Sequence, residues 1–408
     1  MLDACKGDIL MIEYFKSVNN KYTCDNDKYL KNGTSLVDED GNDINDHTFK
    51  LLIKKETLHF IRKNYSNIIV LAGAGASVVS NGNNIRAEFG KTVPMLAELV
   101  NEELKTDSSC FSLQVLADFC KYNVPVEKAE EGKINPKFNL EDFLSDLLSF
   151  EKYVTENDYP KYEVSKNKIF DLIISNTSYD YDEAYLKHAT FINTVSRLVK
   201  APSKLSIVTT NYDTLIEDAA DSIGFTVIDG FTFAHRPQFD SDMFEWNLVK
   251  DIENIKTREL EYKKNIINLL KLHGSLTWEY SDDHIFRKEK NNVKKPIMIF
   301  PSSNKYMQSY QEPYFELFIK FQELLKRPNT LLITTGFSFA DNHISQMITQ
   351  AIKHNKSLAV LISDHNINQE NENWIRLQEL MQQNYQIAFL RATMNSDLVD
   401  YLGEYYDD

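Results

Sequence analysis

Asn67-Ile-Ile-Val-Leu-Ala72-Gly73-Ala74-Gly75-Ala76-Ser77 reads as a strand running straight into a glycine turn. The apolar run is short, continuous and β-branched, as in a strand buried on both faces, and Gly73 stops it. Glycine lets a backbone come close to a pyrophosphate, and amides at the start of a helix point at such an anion. The same residues would equally suit a tight strand-to-helix turn with a packing role. The pattern is not G-x-G-x-x-G, since Ser77 and Val78 follow where a third glycine is expected.

Three further apolar runs end on short polar motifs. Leu205–Thr209 leads into Thr210-Asn211-Tyr212-Asp213, Ile266–Leu272 into His273-Gly274-Ser275, and Thr330–Thr335 into Gly336-Phe337-Ser338. In an open parallel sheet, ligands bind where the carboxyl ends of the strands face the loops. The chain has 13 Gly in 408 residues, well under the usual ~7%. Gly73, Gly75, Gly274 and Gly336 all fall in these motifs, which predicts close backbone approach there. Asn211 and Asp213 suit either a helix cap or a grip on ribose, water and carboxamide. His273 suits either a turn histidine bonded to a carbonyl or a group exchanging a proton near neutral pH. Ser338 could bond a ribose or phosphate oxygen. Asp341 reads best as the N-cap of a helix beginning near Asn342, and His343, Arg86 and Phe89 receive no role.

The spacing predicts an α/β chain: a Rossmann-like, doubly wound parallel sheet with an inserted helical module. Residues 1–60 read as an N-terminal polar, helical segment. Residues 61–92 and 202–408 read as the nucleotide-binding domain, with further strands at Pro296–Phe300, Ser357–Ile362 and Tyr385–Leu390. Residues 93–201 read as the helical insertion. Pro94 suits a first helical turn, and Asn139-Leu-Glu-Asp-Phe-Leu-Ser145 has an Asn cap, early acids and helical apolar spacing. Residues 230–265 are a polar, aromatic-containing stretch of no assigned form.

With 45 Lys+Arg against 60 Asp+Glu, the net charge of −15 argues against broad nucleic-acid binding, which needs cations to neutralise phosphates. No apolar run approaches the ~18 residues of a membrane span. The N-terminus lacks the pattern of a secretory signal. Cys5, Cys24, Cys110 and Cys120 form no CxxC pair and read as thiols in a reducing compartment. A cytoplasmic protein is expected, without a metal site.

The four motifs in this order resemble the sirtuin family, which has a GAG-x-S loop, a T-x-N-x-D loop, an HG motif and a glycine–serine loop around NAD. The resemblance covers roughly residues 66–78 and 203–345. It implies NAD as substrate. Gly73, Ala74, Gly75 and Ser77 would contact phosphates and ribose, Thr210, Asn211 and Asp213 the nicotinamide riboside, and Gly336 and Ser338 the adenosine side. His273 would be the base and Asn211 would position ribose or water. The chain lacks the paired cysteines of the family's zinc module and its G-I-P-D-F-R stretch. Both departures point from lysine deacylation towards hydrolysis of NAD to nicotinamide and ADP-ribose. The segment at Asn139 is similar to a helix of bacterial sirtuin-like anti-phage proteins. That likeness implies control by assembly, as a homo-oligomer or with a HerA-type ATPase, since little sequence remains for a sensor domain. The rival expectations are a module that binds NAD or ADP-ribose without turnover, and a lysine deacylase.

Overall fold

The structure is a computed structural model that describes residues 11–81, 84–86, 88–128, 133–252, 259–298 and 313–403. Its frame is an 11-stranded sheet. The strands are β1 (Ile12–Ser17), β2 (Lys21–Asp25), β3 (Lys28–Lys31), β4 (Thr34–Ser35), β5 (Asn67–Ala72), β6 (Leu205–Thr209), β7 (Thr226–Ile228), β8 (Ile266–Lys271), β9 (Thr330–Thr335), β10 (Leu358–Asp364) and β11 (Ile387–Arg391). Their order across the sheet is β4-β3-β2-β1-β11-β10-β9-β5-β6-β8-β7. From β11 to β7 every neighbouring pair is parallel. The mixed α/β architecture with a doubly wound, mostly parallel sheet is the one expected.

Helices cover both faces, so the parallel strands are apolar on both sides. Ile68, Val70 and Ala72 of β5 face one core, together with Phe191, Ile216 and Leu398. Ile69 and Leu71 face the other, with Leu317, Ile344 and Trp374. The first group of helices is α1 (Asp46–Ile61), α6 (His188–Ser196), α7 (Leu215–Ser222) and α11 (Leu398–Leu402); the second is α8 (Tyr314–Lys326), α9 (Asn342–His354) and α10 (Glu372–Gln382). Complete burial of each such Leu or Ile contributes roughly 1.5–3 kcal/mol, and this continuous double core fixes the strand ends from which the loops emerge.

The insertion holds α2 (Val93–Thr106), α3 (Leu113–Phe119), α4 (Leu140–Phe150) and α5 (Tyr159–Thr177). These helices share a core of their own, built on Val100, Leu113, Phe143, Leu147 and Ile169. Tyr212 and Leu276, from loops of the sheet, complete it. Helix α6 lies within the expected insertion, yet Phe191, Ile192 and Val195 pack into the sheet's core instead.

Two expectations are corrected. Of the polar, helical segment expected over residues 1–60, the part from Asp46 is helical (α1), but residues 12–35 form four antiparallel strands that extend the sheet through β1 and β11. Left-handed Asn26-Asp27 and Asn32-Gly33 close its hairpins, a conformation those residue types tolerate. Pro296–Phe300 was read as a sheet strand. Ile297–Met298 pairs instead with Gly274–Ser275 in a separate two-stranded ribbon, and residues 299–300 lie outside the described residues. Gly274 permits the pairing, since its φ is +90° and a Cβ there would lie 2.2 Å from the Ile297 carbonyl oxygen.

Candidate functional site

From β5 the chain passes to β6 on one side, and later returns to β9 on the other. This reversal is the topological switch point at which open α/β sheets bind ligands. The loops after β5 and β9 interlock there. Gly336 has φ +59°, and a Cβ on it would lie 2.2 Å from the Ala76 nitrogen; one on Gly73 would lie 2.6 Å from the Gly336 carbonyl oxygen. The glycines thus permit close backbone approach of loop to loop.

This geometry modifies the expectation of free amides. Residues 74–77 form a short 3₁₀ turn. The Gly73 amide donates to the Thr335 carbonyl at 3.0 Å, the Gly75 amide to that of Gly336 at 2.9 Å and the Ala76 amide to that of Gly73 at 2.9 Å. Closing the two loops occupies these donors, which leaves the Ala74 amide without an internal acceptor among the described residues.

A cleft of about 650 Å³ opens above the strand ends. Ala74, Gly75, Ser77, Thr210, Asn211, Asp213, His273, Gly336 and Ser338 all line it, whereas Gly73, expected in the site, is not among the lining residues. Asn211 bridges the first loop: Nδ2 donates to the Gly73 carbonyl at 3.1 Å and to the Ser77 hydroxyl at 2.9 Å. The amide orientation follows from those acceptors. Ser77 in turn donates to Asp213 Oδ2 at 2.7 Å, and the Tyr179 hydroxyl, from the end of the insertion, donates to the same oxygen at 3.4 Å. Asp213 Oδ1 accepts from the Leu215 amide at 3.2 Å, at the start of α7. Asp213 therefore ties three segments together, and it could grip a carboxamide only by exchanging one of these partners. Thr210 anchors the loop by donating its amide to the Ala72 carbonyl at 3.1 Å. Ser338 is exposed on the far wall.

Beneath that loop, Lys271 is 1% exposed, donates to the Asp213 carbonyl and pairs with Glu217 at 3.0 Å. It fastens the Asn211–Asp213 loop to the strand that carries His273. A buried cation needs such partners, because its desolvation is otherwise uncompensated.

His273 is buried, with Nε2 3.2 Å from Asp341 Oδ2. Among the described residues Nδ1 has no hydrogen-bond partner. Burial disfavours the imidazolium, but the Asp341 hydrogen bond and the charges of Glu141 and Asp341 outweigh it, so the His273 pKa is raised. Burial would raise the Asp341 carboxyl, yet His273 overrides it and the pKa is lowered. In neutral His273 a proton on Nε2 serves Asp341 and leaves the Nδ1 lone pair as the base, the orienting logic of an imidazole–carboxylate pair.

The sequence reading treated Asp341 as a helix cap alone. It caps α9, since Oδ1 accepts from His343 and Ile344, and its other oxygen orients His273. Glu141, quoted only as an early acid of a helix, lines the cleft as well. Nothing in the sequence marks Tyr179 or Lys271, since their roles arise from contacts between distant segments.

The sequence profile of the SIR2-like domain family matches residues 205–390, from β6 into β11. The matched segment carries Asn211, Asp213, His273, Gly336, Ser338 and Asp341. No curated protein matches the chain. Among solved structures, one described as the structural basis for the mechanism and regulation of Sir2 enzymes aligns with a TM-score of 0.39 and 11% identity, covering 86% of this chain and 95% of that one. Among the described residues no helix is long and apolar enough to cross a membrane.

Proposed function

We propose that this chain cleaves NAD to nicotinamide and ADP-ribose, with water as the acceptor. The observation that carries the reading is the convergence of Asn211, Asp213 and His273, from two different loops, on one cleft beside the interlocked glycine turns. A cleft of about 650 Å³ lies within the range of small-molecule and cofactor sites. The buried Nδ1 of His273 has no hydrogen-bond partner among the described residues.

The Ala74 amide, Gly75 and Ser77 would take the diphosphate and its ribose, and Thr210, Asn211 and Asp213 the nicotinamide riboside. Gly336 and Ser338 would lie along the adenosine side. Because the pyridinium of NAD is already a good leaving group, the protein's work is to orient the sugar and handle a proton. Asn211, held rigid by Gly73 and Ser77, presents its amide oxygen to ribose or water. His273, oriented by Asp341, accepts a proton through Nδ1; such general base assistance supplies ~10²–10⁴-fold.

The setting we infer, from the resemblance alone, is NAD depletion in bacterial anti-phage defence, held silent until assembly as a homo-oligomer or with a HerA-type ATPase. The test is chromatography of NAD incubated with the protein, alone and with such an ATPase, alongside a measurement of particle size. Nicotinamide with ADP-ribose supports the reading, while cyclic ADP-ribose changes the acceptor. Tight NAD binding without nicotinamide under either condition favours a binding module, and release that requires an acylated peptide favours a deacylase.

A further inference from the structure

The cleft has a second wall that belongs to the insertion. Asn139 caps α4, its side chain accepting from the Glu141 amide at 2.9 Å and the Asp142 amide at 3.3 Å. The Tyr122 hydroxyl donates to the Asn139 carbonyl at 3.3 Å. Phe143, Leu144 and Leu147 anchor the helix in the insertion's own core. These contacts fix the backbone at Glu141, whose side chain lines the cleft shared with His273, Asp341 and Tyr212.

We propose that Glu141 is a further catalytic residue, the carboxylate that takes the proton of the attacking water from the wall of the cleft supplied by the insertion. This rests on the NAD-cleavage reading above. In the step, the water oxygen bonds to the anomeric carbon of the ribosyl group and one water proton passes to Glu141. The bond from that carbon to the pyridinium nitrogen breaks, and its electron pair leaves with neutral nicotinamide. Glu141 then returns the proton to solvent, so that NAD and water yield nicotinamide, ADP-ribose and one proton. Meanwhile His273 and Asp341 hold the sugar side and accept from a ribose hydroxyl.

The surroundings suit a proton acceptor. An acid in the first turn of a helix ordinarily complements the helix dipole and keeps a low pKa. At Glu141 burial raises the carboxyl to about 7, with the His273 charge opposing and the Asp341 and Asp142 charges reinforcing. A general base works best with a pKa near the working pH. The groups that act on it are Asp142 on its own helix, His273 after β8 and Asp341 at the start of α9, and Tyr212 after β6 interacts with it as well; Lys91, Lys137, Tyr179, Asp213, His343, Asp364 and His365 line the same cleft.

Glu141→Gln keeps size and helix while removing the charge, and Glu141→Asp keeps a carboxylate. We expect Glu141→Gln to lower kcat about 10²-fold or more, with the calorimetric Kd for NAD within threefold of the parent. The acid limb of kcat should move to lower pH in Glu141→Gln, where His273 alone shapes it, and stay near pH 7, at reduced rate, in Glu141→Asp. His273, followed by NMR, should titrate at lower pH in Glu141→Gln, because a neighbouring negative charge is gone. Cleavage by Glu141→Gln within threefold of the parent with the same limb overturns the proposal. So does an equal loss in both variants accompanied by weakened NAD binding, which would mark a structural residue. A parent that neither binds nor cleaves NAD removes the NAD reading itself, a result distinct from cleavage indifferent to residue 141.

Discussion

Asp341 presents one carboxylate oxygen to His273 Nε2 at 3.2 Å and the other to the amides that open α9. The end of a helix thereby sets the orientation of an imidazole that follows a different strand. Asn is about as good an N-cap as Asp, so Asp341→Asn separates the two roles. We expect nicotinamide release to fall at least tenfold with little change in melting temperature. The His273 pKa should drop, since the carboxylate that raises it is neutralised. An unchanged His273 titration in this variant would contradict the pairing.

Asn395 is a latch on the first loop. Its Nδ2 donates to the Ala76 and Val78 carbonyls at 2.8 and 2.9 Å, and its Oδ1 accepts from the Lys187 amide at 3.0 Å. Asn395→Ala should loosen the loop at a cost of roughly 1–3 kcal/mol for the groups left unpaired. Steady-state kinetics should show KM for NAD rising more than kcat falls, because the residue holds the binding loop and does not itself line the cleft.

Gly336→Ala should damage folding rather than chemistry. The added methyl would meet the Ala76 nitrogen at 2.2 Å in a left-handed conformation, which is unfavourable for any residue with a Cβ. A thermal melt of this variant should show a loss well beyond the ~1 kcal/mol typical of point substitutions. A melting temperature equal to the parent's would mean that the two loops separate easily.

His188 makes the fold acid-sensitive. It is 3% exposed, and burial lowers its pKa from 6.5 to about 4, Asp213 opposing. Between those values the unfolded chain binds a proton that the folded chain does not, so stability falls as pH drops through that window and levels off below it. A shift of this size corresponds to something on the order of 3 kcal/mol. Denaturant midpoints measured from pH 7 to 4 should show the decline, and His188→Gln should flatten it.

The central strands were legible because burial on both faces leaves continuous apolar runs such as Ile68–Ala72 and Leu331–Ile333, and their polar ends marked the loops. What escaped the sequence reading has physical causes. β7 has three residues at a sheet edge, too few to establish a pattern. The N-terminal strands carry Lys, Ser and Asn between Phe15 and Tyr22, so their composition looked like that of an exposed arm. The Asn32-Gly33 pair was the available hairpin signal. Of the candidate site, residues on strand ends were visible one motif at a time. Asp341 and Glu141 were seen only as helix-end acids, because capping and facing a cleft leave the same local signature. Lys271, Tyr179 and Asn395 depend on partners many residues away, and no local pattern encodes them.

The sheet terminates on both sides in very short strands, two residues at Thr34–Ser35 and three at Thr226–Ile228. A neighbouring chain would find few unpaired amides and carbonyls to bond along either border. Growth of fibres by strand addition at either border of this sheet is therefore disfavoured by the architecture itself.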